Sequence, residues 1–167
     1  MILGMSLVTY TLVHVLLSLA GIGSGLVVLF GLINGKLLDG WTAAFLATTV
    51  LTSVTGFGFP FTHLLPSHIV GILSLVALAL AILGRYALGL AGSWARVYVI
   101  GSAIALYFNV FVLVVQGFLK VPALHALAPQ QNEPPFAVAQ GIVLVLFLFL
   151  GVRAVGGFRP PATARRG

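Results

Sequence analysis

Four histidines, His14, His63, His68 and His125, are the side chains of this chain best suited to chemistry, and all four fall near one end of its apolar segments. A neutral imidazole offers one donor nitrogen and one acceptor or metal-ligating nitrogen. His14 and His68, on separate helices at matching depth, meet the geometric condition for bis-histidine ligation of haem b, with Gly21 and Gly71 giving room for the macrocycle. Together with His63 and His125 they make a candidate set for a divalent metal. With Asn109 and Gln116 they make a candidate site for a quinone, an imidazole and an amide facing its carbonyls; Gln140 adds a further amide near the same level. A spacing of 54 residues between His14 and His68 is no motif. The plainer reading leaves the imidazoles as polar residues at a membrane surface, with no cofactor bound.

The elements that must position these residues follow from composition. With 167 residues, 60% apolar and 6% charged, the chain cannot clothe itself in a polar surface as a soluble domain must. A bilayer core about 30 Å thick takes roughly 20 apolar residues per helix, and the chain holds several such runs. We therefore expect an all-α integral membrane bundle of five transmembrane helices, in one domain over residues 1–158. The spans are expected at about 7–33, 41–56, 67–88, 94–117 and 135–155, with 159–167 a basic, disordered tail. A short interfacial helix fits 122–128. The N-terminus lacks the basic region and cleavage site of a secretory signal, so the first helix is expected to be retained.

The segment from Gly56 through Phe57-Gly58-Phe59-Pro60-Phe61-Thr62-His63-Leu64-Leu65-Pro66 to His68 breaks one helix and restarts another, with Pro66 where a missing N–H costs nothing. In the first helix Thr11, His14, Ser18, Gly21 and Gly25 recur at spacings of three and four and so share a face. Its GxxxG from Gly21 to Gly25 permits close helix contact, which makes those glycines candidates for docking a partner helix in a homo-oligomer or larger complex. The second helix is threonine-rich, and its hydroxyls read as structural glue. Asp39 is a plausible N-cap. Ser102, Ala105, Asn109, Val112 and Gln116 form one stripe of the fourth helix.

Orientation comes from the basic residues. The formal charge is +6, and five spans gather seven of the eight Lys and Arg residues on one side, leaving Lys120 on the other. The positive-inside rule then predicts the N-terminus out and the C-terminus in. So placed, the charge is a topology signal, with lipid rather than nucleic acid as the partner.

Absences narrow the function. No cysteine is present, and neither Asp39 nor Glu133 lies inside a span, so thiolate sites and carboxylate relays for coupled transport are missing. No phosphate-binding loop, His-Glu-x-x-His, nucleophile elbow, voltage-sensing arginine array or internal repeat occurs, and no catalytic set emerges. The segments Thr48–Phe61 and Gln116–Pro129 resemble those of short polytopic bacterial inner-membrane proteins. That resemblance implies a multi-pass inner-membrane location and brings no activity, cofactor or binding residue. The function expected is a small inner-membrane protein with an outer histidine and amide cluster for haem b, a quinone or a metal. The alternative is a non-catalytic subunit or small-molecule transporter that packs through its glycine and threonine faces.

Overall fold

The computed structural model of the chain describes residues 2, 4–60 and 66–160. Its elements are α1 (Leu7–Ile33), α2 (Asp39–Gly56), α3 (Pro66–Ile82), which continues as a π-helical turn over Leu83–Ala87, α4 (Trp94–Lys120), the short α5 (Pro122–Leu127) and α6 (Pro134–Gly157). Among the described residues there is no strand. The described residues thus hold six helices, five long ones where spans are expected and the short α5. Four of them, α1, α3 with its π turn, α4 and α6, are long and apolar enough to cross a membrane, so the chain is a multi-pass membrane protein. α2 falls short because its Thr and Ser content dilutes its apolar character, and its 18 residues extend only about 27 Å. The extra helix is α5, the short element expected within the loop.

α2 runs antiparallel along α1. The Tyr10 hydroxyl donates to the Thr55 carbonyl at one end (2.7 Å), and Gly31 meets Leu38 at the other. The hydroxyls that dilute α2 cost it little, since Thr48, Thr52 and Thr55 donate to the carbonyls of Ala44, Thr48 and Leu51 at 2.7–2.8 Å. α4 also lies antiparallel to α1, as Ser18 bonds Asn109 and Gly25 packs on Leu106. α3 and α4 pack through Gly101, against Ala77 and Ala81, and α6 packs on α4 through Gly151 and Ala103. The core is therefore helix on helix: Leu29, Phe45, Leu78, Tyr98 and Leu106 are almost fully buried in it. Only Phe147 and Ala154 of α6 are buried, so that helix lines the outside.

Turn chemistry sets the ends. Gly35 (φ +71°) closes α1 after Asn34 in a left-handed conformation that favours glycine. Asp39 is not the cap expected of it: Leu38 holds that position, and Asp39, the first helical residue, pairs with Arg85 at the π turn of α3. With Asp39 mostly exposed, that pair contributes at most about 1 kcal/mol. Glu133 stands at the N-cap of α6 without a side-chain capping bond; its carboxylate instead accepts the backbone N–H groups of Gln130 and Asn132 in the preceding loop, each at 3.1 Å. By this helix order Lys36, Arg85, Arg96, Arg153 and Arg159 lie at one end of the bundle, and His14, His68, Lys120 and His125 at the other. His63 and residues 161–167, including Arg165 and Arg166, lie outside the described residues; of the expected tail, Arg159 and Pro160 are described.

Glycine contacts make the packing testable. A Cβ at Gly101 would stand 2.7 Å from the Ala77 carbonyl oxygen, a backbone atom that cannot swing away, whereas one at Gly23 meets nothing within 4 Å. Gly101→Ala is expected to destabilise the bundle by about 1–3 kcal/mol and Gly23→Ala to leave it unchanged, measured by unfolding in mixed micelles.

Candidate functional site

At the His14 end the four helices α1–α4 surround a cavity of about 90 Å³. His14 and Ser18 reach it from α1, Thr49, Thr52 and Ser53 from α2, His68, Gly71 and Ser74 from α3, and Phe108, Asn109 and Val112 from α4. Small side chains on α2 and α3 leave the space. Toward the opposite end it is shut by larger ones, with Phe45 and Leu106 against Gly25 and the Tyr98 hydroxyl 3.2 Å from that of Thr42.

Three groups define its chemistry. The first is His14, whose Nδ1 lies 2.8 Å from Thr55 Oγ1. Thr55 Oγ1 also lies 2.7 Å from the Leu51 carbonyl, and its one hydroxyl proton can serve either that oxygen or His14 Nδ1. When the hydroxyl serves Nδ1, the neutral ring carries its proton on Nε2 as a donor. Phe59 packs edge-on against the same ring, with centroids 5.2 Å apart. The second is Asn109, 6% exposed, whose Oδ1 accepts from Ser18 Oγ at 2.7 Å while its Nδ2 donates to the Ser18 carbonyl at 3.4 Å. The third is Thr49. It is 1% exposed, and its hydroxyl, unlike those of its neighbours on α2, makes no hydrogen bond. A buried, unsatisfied hydroxyl on a cavity wall costs about 1–3 kcal/mol and marks a place for a water or a ligand atom. His68, 4% exposed, stacks on Phe57 with ring centroids 5.4 Å apart, and the Ser53 hydroxyl donates to that of Ser74 at 3.3 Å.

Of the residues expected from the sequence, the fold brings His14, His68 and Asn109 to one cavity. Gln116 is half-buried farther along α4 and does not line it. His125 is exposed on α5, where Nδ1–H donates to the Phe118 carbonyl at 3.3 Å, also apart from the cavity. Gln140 donates to the Phe111 carbonyl between α4 and α6. Among the described residues no three His, Cys, Asp or Glu side chains come together, so the four-imidazole metal set is not assembled there. The cavity, at about 90 Å³, is smaller than the roughly 300–1,000 Å³ that drug-sized ligands occupy.

Thr49, Ser53 and Ser74 were not legible as site residues. Thr49 is one of six hydroxyl residues on α2, and what separates it from the rest is that its hydroxyl bonds neither its own helix nor a neighbour. Gly21 and Gly25, expected to dock a partner chain, are used inside this one. A Cβ on Gly21 would lie 2.9 Å from Thr49 Oγ1 and 3.0 Å from Asn109 Nδ2, and one on Gly25 would lie 2.6 Å from Leu106 Cδ1 and 2.8 Å from the Phe45 ring. That face is occupied by α2 and α4. No family model, curated protein or solved structure matches the chain.

The unsatisfied hydroxyl and the satisfied amide predict opposite mutational signs. Thr49→Val is expected to leave the ligand-free protein as stable or to stabilise it by up to about 1 kcal/mol, whereas Asn109→Leu costs about 1–3 kcal/mol by orphaning Ser18. Unfolding in mixed micelles reads both.

Proposed function

We propose that this is a five-span bacterial inner-membrane protein that binds the carbonyl-bearing edge of a quinone in its outer-end cavity, as a binding subunit of a membrane redox system. The observation that carries the reading is the unpartnered Thr49 hydroxyl in the wall of a cavity whose described lining consists of neutral donors and acceptors and apolar side chains. Among the described residues no Asp, Glu, Lys or Arg lines it. An uncharged, lipid-soluble carbonyl compound matches such a wall better than an ion. Thr49 Oγ1–H and, in the tautomer whose Nδ1 accepts from Thr55, the Nε2–H of His14 supply its hydrogen bonds, while Phe57, Val70, Phe108 and Val112 supply apolar contact. Size sets how much of the ring enters. A cavity of about 150 Å³ takes a whole benzene, so one of about 90 Å³ takes an edge. The apolar plug beneath the cavity favours binding over passage through the bundle, which weakens the transporter alternative.

The fifth crossing is α2. Its support is the antiparallel packing along α1 from Tyr10–Thr55 to Gly31–Leu38, which carries α2 through the same depth that α1 traverses. Five crossings put the arginine-rich end inside and the cavity outside.

The absence of native cysteines makes topology direct to measure. A cysteine at Pro60 should react with a membrane-impermeant maleimide on intact cells, and one at Lys36 only after permeabilisation; reaction of both from one side removes the fifth crossing. For the ligand, a short-tailed benzoquinone titrated calorimetrically into the detergent-solubilised protein should bind in a one-to-one ratio. His14→Phe and Thr49→Val should each weaken it about tenfold, the worth of one buried hydrogen bond. No saturable heat, or wild-type binding by both variants, refutes the quinone assignment.

A further inference from the structure

The opposite end of the bundle holds a second cavity, of about 200 Å³, where the start of α4 meets the end of α6. Arg96 enters it from the first turn of α4 and Arg159 from just beyond α6, with Gly92, Val99 and Phe158 completing the walls. No acidic side chain among the described residues lines it. Among the described residues the one ion pair joins Arg85 to Asp39, which leaves Arg96 and Arg159 without a carboxylate partner. Two exposed arginines lining one cavity gather like charge there, which a bound anion would offset.

The backbone adds to the same potential. α4 is 27 residues long, Ser93 makes no side-chain capping bond at its start, and its first turn has no acidic residue, so the positive end of its dipole is uncompensated beside the arginines. Guanidinium groups bind phosphate oxygens in pairs of parallel hydrogen bonds, which a single ammonium cannot do. We propose that this cavity binds a phosphate-bearing anion, with the headgroup of an anionic phospholipid as the local supply and free phosphate as the other source of the same chemistry. The inference is independent of the outer cavity and its ligand.

The test uses the full chain in nanodiscs of phosphatidylcholine, with and without phosphatidylglycerol, and inorganic phosphate added separately at matched ionic strength. Phosphatidylglycerol should raise the melting temperature by roughly 3 °C, and Arg96→Gln with Arg159→Gln should abolish that increment. Arg153→Gln, a charge at the same end that lies over the Phe149 ring, should retain it. A response to phosphatidylglycerol alone identifies a lipid headgroup as the source; a response to inorganic phosphate that is likewise lost in the double variant identifies a free phosphate. If wild type responds to neither, or if Arg153→Gln loses the increment equally, the site is refuted. Should the double variant melt too low to compare, native mass spectrometry of wild type decides: retained phosphatidylglycerol or phosphate adducts support the site, and their absence refutes it.

Discussion

The close approach of α1 to α2 and α4 along Ser18, Gly21 and Gly25 is the contact on which the rest of the bundle depends. In lipid no hydrophobic drive holds helices together, so their association rests on van der Waals contact and interhelical hydrogen bonds. Two glycines one turn apart bring the α2 threonines, Phe45 and Leu106 to within packing distance of the α1 backbone. That closeness puts Ser18 within 2.7 Å of Asn109. It also closes the middle of the bundle with Phe45 and Leu106, while beyond Ser18 the facing side chains are small and the helices enclose a space.

The cavity is thus a product of what packs beneath it. Where α2 carries Phe45 the centre is filled; where it carries Thr49, Thr52 and Ser53, opposite Gly71 and Ser74 of α3, it is not. Most hydroxyls of α2 turn back to their own helix, which lets a polar helix stand in an apolar bundle. Thr49 alone among the α2 threonines lining the cavity stays buried without a bond, while the ring of His14 is held by Thr55. Polar satisfaction elsewhere makes these two groups the reactive surface of the site. At the far end the logic is reversed: unpaired cations, exposed and beside a helix start, await a counter-charge from outside the chain.

Much of this was written in the one-dimensional pattern. An apolar run the length of a bilayer has one stable form, because lipid offers its backbone no hydrogen-bonding partner and only a helix satisfies every N–H and C=O internally. Hence α1, α3, α4 and α6 were legible from composition, to within a few residues at each end. The three-and-four spacing of His14, Ser18, Gly21 and Gly25 and of Asn109 gave the inward faces of α1 and α4 for the same reason. The clustering of basic residues at one end followed from the order of the runs.

What the pattern left open was which faces meet, since rotation about each helix axis is fixed by contacts between residues distant in sequence. Only the tertiary structure decided that Gly21 and Gly25 serve this chain's own helices, that Gln116 and His125 stand apart from the cavity while Ser74 joins it, and that Asp39 pairs with Arg85 rather than capping α2. Hydroxyls posed the hardest case. A threonine that bonds its own helix and one that faces an empty space are the same letter, and what separates Thr49 from Thr48 and Thr52 is the position of α1 and α4 around it.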